Sequence, residues 1–550
     1  MRQKVIRDVI HGYIYIDEYI LEHIIDTRYF QRLRRIEQTS MRVLYPAARH
    51  DRFIHSIGTY FLGKRAIEFF YNNITFYQDR VIPPKWQEIK DSYLTLLNNS
   101  SYWCSRKFNF AMACLLHDIG HAPFSHTLED FYAKERQSSG LWDIFLDKAV
   151  NKGKLNNEVA ELIKSKGEDP TFKPPATHEI LSAILVLEEF TEPLKNLAVK
   201  MELDPSIVDM EFIVRCIMGL HYEPALPEMI DNKVWRNMDN CLIQLLNGET
   251  FDVDRLDYLL RDARMAGYDC SAIDSERLLK ALTIEIDPYK YEFRRALKKS
   301  ALSVIESFIN AYNELYIWAY GHHKVIYYAE LYKQTINAID TIDIGFIENF
   351  FSYNKLKRGL TCDDDVWLLL KEYESKVWQA GDIISRTSLY QSMWKACTDF
   401  RIVFYPLRAY ELDHDKKYSP LKTIHAILDT DRTKADFTQK FLQYIGAPTN
   451  YRGQNSLILV NAKIKELRRN SWSLNIYMDD KEDGSCCVKF VDLMETASSV
   501  RNAEPEPENA LCFYLYLHED FLKQYPTYNS KSQLAKKLME FYHQEYKWQK

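Results

Sequence analysis

The densest group of reactive side chains lies in LLHDIGHAPFSH at 115–126, which holds His117, Asp118, His121 and His126. His117 and His121 are four residues apart, so on a continuing helix they share a face. An earlier segment, RFIHSIG, adds His55. FDVDRLDYLLRDA at 251–263 adds Asp252, Asp254, Asp257 and Asp262. Neutral imidazole and carboxylate together suit borderline cations such as Mn, Fe, Co, Ni or Zn. A His-Asp pair by itself is usually a structural contact. Here the further histidines and aspartates change the balance, because burying so many ionisable groups without partners is costly. A bound cation removes that cost.

The order His…His-Asp…Asp is the pattern of the HD superfamily. The surrounding words QRLRRIEQ, YPAARHDRFIHSIG, LLHDIGHAPFSHTLE, THEILS and FDVDRLDYLLRDA resemble its dNTP triphosphohydrolase branch, from about Lys4 to about Lys324. The resemblance implies one divalent cation (Mn, Fe, Co, Ni, Zn or Mg) held by His55, His117, Asp118 and Asp254. It implies release of deoxynucleoside and inorganic triphosphate by attack of water or hydroxide on the α-phosphorus. A cation there neutralises phosphate charge and lowers the pKa of a bound water. His126 matches the histidine that protonates the leaving 5′ oxygen. Glu129, three residues on, is placed to orient that imidazole and raise its pKa. His121 and His178 match active-site histidines facing the phosphates; the alternative is a pair of hydrogen-bonded core histidines. Arg52 matches a phosphate-binding arginine, and Arg255 stands where a lysine is common. Gln38, Tyr258 and Asp262 match residues that contact the sugar, and Tyr320 resembles the tyrosine under C2′.

Two departures bear on specificity. Thr39-Ser40-Met41-Arg42 replaces the leucine-glycine stretch expected after Gln38, and no arginine lies about eight residues before Tyr320, where Tyr312 and Asn313 stand. Both weaken deoxy-specific triphosphate hydrolysis and leave the metal site untouched. Lys4, Asp26, Gln31 and Arg34 match the polar residues of a nucleotide effector site found at a subunit interface in some relatives, with Arg7 in place of an asparagine. The competing reading of these four is an ordinary surface salt-bridge group.

The elements that must hold these residues are mostly helical. Residues 4–16, KVIRDVIHGYIYI, read as two strands around a His-Gly turn. From Leu21 to Gln38 apolar residues recur every three to four positions, which predicts a helix. Helices are also expected at 53–71, 108–118, 177–200, 207–220, 236–266 and 297–340, with a Pro/Gly loop at 164–176. Past about residue 398, FRIVFYPL, SLILVNA, WSLNIYM, CCVKFVDL and ALCFYLYL read as strands, and EPEPEN at 504–509 as an exposed loop. The fold expected is mainly α: an HD-type phosphohydrolase domain over 1–340, a helical connector over 341–397 and a mixed α+β lobe over 398–550.

Composition narrows the partners. A net charge of −6 gives no global basic field for nucleic acid, so such a partner is not favoured. Arg32, Arg34, Arg35, Arg42, Arg49 and Arg52 crowd one early segment, either as a solvated face or as a phosphate-gripping patch. The ten cysteines include no CxxC pair, which argues against a zinc knuckle or thioredoxin-type site. Adjacent Cys486 and Cys487 read as strand residues. Scattered cysteines and an N-terminus without a signal-like apolar stretch predict a cytoplasmic protein. No segment approaches the ~20 apolar residues of a membrane span. The reading is a metal-dependent dNTP triphosphohydrolase with a nucleotide substrate, a candidate nucleotide effector and a homo-oligomeric assembly. The alternatives are an HD phosphohydrolase acting on another nucleotide or nucleic-acid end, and a non-catalytic nucleotide sensor. A proton donor such as His126 beside Glu129 argues against the sensor, since binding alone needs none.

Overall fold

The computed structural model of the chain describes residues 2–76, 87–137, 140–151, 155, 159, 174–223, 230–268, 273–287, 292–387, 389–407, 409, 419–451, 453–462, 475–477, 487–489 and 511–546. The expected N-terminal strands form an antiparallel hairpin, β1 (Gln3–Asp8) and β2 (Gly12–Asp17), with Val5 opposite Tyr15 and Arg7 opposite Tyr13. Alternation sends Ile14 and Ile16 into the core and leaves Val5, Tyr13 and Tyr15 exposed. The predicted helix from Leu21 to Gln38 is broken into a π turn, a short α-helix over Arg28–Gln31 and a 3-10 turn over Arg32–Arg35. Thr27 makes the break: its hydroxyl donates to the Ile24 carbonyl at 2.6 Å and accepts from the Phe30 N–H. Ile24, Ile25, Leu33 and Ile36 are buried all the same. The apolar spacing is thus met without one continuous helix.

Seven helices form the frame of the site. Arg52–Phe76 starts where Asp51 Oδ1 accepts the Ile54 N–H at 3.0 Å. Ser100–Leu116 is capped by Asn99, and Thr177–Leu185 runs through a π turn into Thr191–Lys200. Met210–Met218 is closed by Gly219 at φ +66. The single helix expected over 236–266 is two, Ile230–Leu246 and Val253–Ala266. A Cβ at Gly248 would meet the Gln244 and Phe251 carbonyl oxygens at 2.6 Å, so the chain turns tightly there. Asp252 restarts the helix by accepting the Arg255 N–H at 2.6 Å.

The stretch expected as helix over 297–340 begins as a strand. β3 (Leu282–Asp287) and β4 (Glu292–Lys298) pair antiparallel before the helices Leu302–Glu314 and His323–Ile342. Beyond them come β5 (Tyr390–Ser392), the small hairpin β6 (Asn450–Tyr451) and β7 (Gln454–Asn455), β8 (Leu457–Ala462), β9 (Asn475–Tyr477), β10 (Cys487–Lys489) and β11 (Cys512–His518). Strand order is β5-β11-β8 in one sheet and β10-β9-β4-β3 in another. β9 runs parallel to β4, with Ile476 beside Leu297, so late residues extend an early sheet. FRIVFYPL is no strand: Cys397–Phe404 is helical. Phe400 and Phe404, four apart and so on one face of the helix, both pack on Trp394 and Phe513. The loop at 504–509, Cys486 and most of 164–176 lie outside the described residues. The whole is mainly helical with small sheets. No helix among the described residues is long and apolar enough to cross a membrane.

Candidate metal and proton-transfer site

Helix spacing explains how distant words converge. On Val253–Ala266, Asp254, Asp257 and Arg261 follow at i, i+3 and i+7 and so face Arg52–Phe76. That helix presents His55 and, three residues on, Gly58, where a Cβ would lie 2.0 Å from Asp257 Oδ1. The helix Ser100–Leu116 stops one residue before His117, so His117 and His121 do not share a helical face as the sequence suggests. A turn carries them instead, with His121 N–H donating to the Asp118 carbonyl at 3.0 Å. Gly120 allows this turn to touch the next helix: its N–H donates to Ser182 Oγ at 2.9 Å, and a Cβ there would be 2.3 Å from Ser182 N. His178 and Ser182 are four apart, and the same contact lays the His178 ring on His121, centroids 4.2 Å apart and 12° from parallel.

Two clusters result. In the first, His55, His117 and Asp254 bring ligand atoms within 4.8 Å of one another. His55 Nδ1 pairs with Asp257 Oδ2 at 2.7 Å and His117 Nδ1 donates to the Cys114 carbonyl at 2.9 Å. With both Nδ1 atoms so engaged, the Nε2 atoms face Asp254 Oδ1, at 2.9 and 3.5 Å. Both Nε2 atoms are buried and lack an aligned hydrogen-bond partner. Asp118 stands beside them, 3.6 Å from His55 Nε2 and 3.5 Å from His117 Nε2. Unpaired buried imidazole nitrogens facing carboxylates are a donor set a divalent cation fits. Burial by itself would lower the His55 pKa, but Asp254 and Asp257 push it up to about 10. A cation bound between these groups therefore displaces a proton. Burial would raise Asp118, yet Arg52, His117 and His55 hold it well below the usual carboxylate range.

The second cluster is His121, His126, Glu129 and His178. Glu129 Oε2 is shared by His126 Nδ1 at 3.1 Å and His178 Nδ1 at 3.0 Å. Against the pull of burial, His126 and His178 hold Glu129 well below the carboxylate range, and Glu129 raises His178 to about 9. His121 is wholly buried, and burial, Arg52 and the neighbouring histidines keep it neutral. The His126 side chain is 63% exposed, so it is the member open to an incoming group.

The residues expected to meet a sugar also gather. Asp262 Oδ1 pairs with His50 Nε2 at 2.5 Å, and Asp262 accepts the Tyr320 hydroxyl. The Tyr258 and Tyr316 hydroxyls are 3.4 Å apart, and Tyr316 stacks on Tyr312. Gln38 is buried with its Oε1 unpartnered. Arg255 points its Nη1 at the Gly248 and Glu249 carbonyls, both at 3.3 Å. The altered wall, Thr39 to Arg42, lies in a 3-10 turn over Ser40–Val43 capped by Thr39, with Met41 fully buried.

The arginine cluster divides: Arg32 and Arg52 are buried, whereas Arg34, Arg35 and Arg49 are exposed. Arg52 donates to Asp118 Oδ2 at 2.6 Å, Ser125 Oγ at 2.9 Å and the Gln38 carbonyl at 3.2 Å. Arg32 is buried on the carbonyls of Thr361, Ile119 and His121. Arg42 pairs with Glu37, Arg35 with Asp364, and Arg34 lies over the Phe53 ring at 3.5 Å. Of the effector candidates, Gln31 accepts from Arg34 Nε at 2.9 Å, Lys4 pairs with Glu18 at 3.4 Å, and Asp26 is exposed.

Sequence reasoning missed four supports. His11 and His50 are bound to Asp257 and Asp262. Tyr316 completes the tyrosine group. Asp363, far along the chain, accepts the Phe124 N–H at 2.6 Å and the Glu37 N–H at 2.8 Å. Phe124 and Ser125 both have left-handed backbones, φ +53 and +51, a costly shape for side-chain-bearing residues that Asp363 and Arg52 help hold. Only the IHG turn, with Asp8 three residues before His11, carried any local signal.

Fold and site together describe a mainly helical protein with a cluster of histidines and carboxylates able to hold a metal ion. No family model matches the chain. It is 23% identical over 330 residues to the uncharacterized protein YwfO of Bacillus subtilis, covering 60% of this chain and 54% of that one. It is 26% identical over 328 residues to the deoxynucleoside triphosphate triphosphohydrolase SAMHD1 homolog of Dictyostelium discoideum, covering 59% and 46%. The chain spans about half the length of the curated relatives it matches. A crystal structure of a hypothetical protein from Aquifex aeolicus shares the fold, with TM-score 0.53 at 17% identity, over 97% of this chain and 100% of that one. The chain is thus a relative of HD-domain proteins that include dNTP triphosphohydrolases.

Proposed function

We propose that this chain is a metal-dependent phosphohydrolase that cleaves deoxynucleoside triphosphates to deoxynucleoside and triphosphate. The observation that carries the reading is the adjacency of two clusters: unpaired imidazoles with carboxylates, and a carboxylate-bound histidine pair of which His126 is open to solvent. His55, His117, Asp118 and Asp254 would hold one divalent cation, which supplies phosphate neutralisation and an activated water. His178, protonated up to about pH 9, supplies positive charge for a phosphate. His126, held by Glu129, gives a proton to the departing 5′ oxygen. Arg52 fixes Asp118 and joins it to the Gln38 loop. Gln38 Oε1 and the Asp262–Tyr320 and Tyr258–Tyr316 pairs offer polar groups to a sugar. Lys4, Asp26, Gln31 and Arg34 are proposed to take a nucleotide effector, which implies assembly through this face.

A second reading, hydrolysis of another nucleotide or a nucleic-acid end, is favoured by one observation. Tyr312 stacks on Tyr316 where an arginine would grip the terminal phosphate. The deciding experiment incubates metal-loaded protein with each ribo- and deoxynucleoside triphosphate, singly and mixed, and resolves products by chromatography. Triphosphate and deoxynucleoside support the main reading. Pyrophosphate or single phosphate moves it to the second, and no turnover in any mixture overturns both.

A further inference from the structure

A buried line of polar contacts runs from the N-terminal hairpin to His55. Asp8 Oδ1 accepts the backbone N–H groups of Ile10 and His11, both at 2.7 Å, which shapes the turn. Asp8 Oδ2 accepts from Arg261 Nη1 at 2.7 Å. Arg261 spends its Nε and Nη2 on the two Asp257 oxygens, at 2.9 and 3.0 Å. The turn delivers His11 Nε2 to Asp257 Oδ1 at 2.6 Å, and Asp257 Oδ2 holds His55 Nδ1 at 2.7 Å. Asp8, Asp257 and Arg261 are buried, and the His11 side chain is only 5% exposed. Gly58 leaves the room that Asp257 occupies, since a Cβ would overlap its carboxylate.

We propose that the hairpin is a positioning device for the metal centre, setting cation affinity through His11, Asp257 and His55. This rests on the metal reading above and adds a means of regulating it. An imidazole ligand needs its second nitrogen tied down to aim the first, and loss of such outer partners typically weakens metal affinity about 10–100-fold. Asp257 is that tie, and two of its four donors come from Arg261 and one from the hairpin turn. The opposite face of the same strands is exposed at Val5, Tyr13 and Tyr15, and carries Arg7. By linkage, a bound cation orders the hairpin to the same degree that the ordered hairpin favours the cation.

The test uses the full chain stripped of metal and titrated with Co²⁺, whose visible absorption reports ligand geometry, in competition with a chelator. His11→Ala is expected to weaken Co²⁺ binding about 10–100-fold. His11→Gln keeps a donor at the Nε2 position and should recover most of that loss. Tyr15→Ser, on the exposed face, should bind as the native chain does. Hydrogen exchange supplies a second readout: Co²⁺ should slow exchange over residues 3–17 in the native chain and not in His11→Ala. Equal affinity for His11→Ala and the native chain overturns the proposal. So does a His11→Gln protein as weak as His11→Ala, which separates positioning from loss of fold. Failure of the native chain to bind Co²⁺ at all overturns the metal reading itself, a distinguishable result.

Discussion

Replacing Glu129 by Gln keeps the shape and removes the charge that His126 and His178 share. Burial alone would push His178 below its ordinary 6.5, and Glu129 is the main reason it stands at about 9. That difference favours the imidazolium by roughly 3 kcal/mol, at about 1.36 kcal/mol per pH unit. At pH 7.5 the native His178 is then roughly 97% protonated. With that charge gone, burial is opposed only by the weaker pull of Glu179 and Asp118, and the protonated fraction falls. If the imidazolium binds phosphate, the basic limb of the kcat/KM profile should move from near pH 9 in the native enzyme to lower pH in Glu129→Gln. Loss of the shared acceptor should also lower the plateau, because His126 loses its orienting partner. The position of the limb, not its height, is the decisive readout. Selective ¹³C labelling of histidine gives the His178 titration directly. A limb and a His178 resonance that titrate at the same pH in both proteins would refute the argument.

Four further outcomes are expected. Asp254→Ala removes a carboxylate 2.9 Å from His55 Nε2 and should leave purified protein with little bound cation by elemental analysis, full occupancy being the contrary result. His126→Ala should retain metal and nucleotide binding while turnover falls roughly 10²–10⁴-fold, and a fall under about threefold with chemistry rate-limiting would remove the assignment. Burial raises the Asp363 carboxyl to about 7 from 3.8, so its stability contribution is present below about pH 4 and is lost as pH rises through 7. It amounts to ~4 kcal/mol; the fall of Tm between pH 5 and 8 should be shallower in Asp363→Asn, and parallel curves would contradict this. Gly120→Ala forces a Cβ to 2.3 Å from Ser182 N, a backbone atom that cannot swing away. It should cost about 1–3 kcal/mol and reduce bound metal, and an unchanged Tm would show that the turn and helix can part.

The elements legible in the sequence were those whose pattern is local. The hairpin alternates with period two, the helices carrying Asp254 and His178 repeat at three to four, and β8 and β11 are apolar runs. Where pattern failed, a longer-range term decided. Thr27 split an amphipathic helix whose apolar residues stayed buried. FRIVFYPL became a helix because Phe400 and Phe404 both reach Trp394 and Phe513. β4 found its parallel partner 475–477 across nearly the whole domain, a pairing with no local signature.

For the site, the sequence by itself determined which side chains have metal-binding and proton-carrying chemistry, because residue type and motif order are its own content. Which nitrogen of His55 faces Asp254, which histidines share Glu129, and where the arginines spend their charge were decided by tertiary structure alone. Several rest on hydrogen bonds between groups far apart in the chain, His11 with Asp257 and Phe124 with Asp363 being separated by 246 and 239 residues. Buried polar groups must find partners wherever packing brings them. That requirement, acting on the packed helices, turned a scattered set of residues into two adjoining clusters.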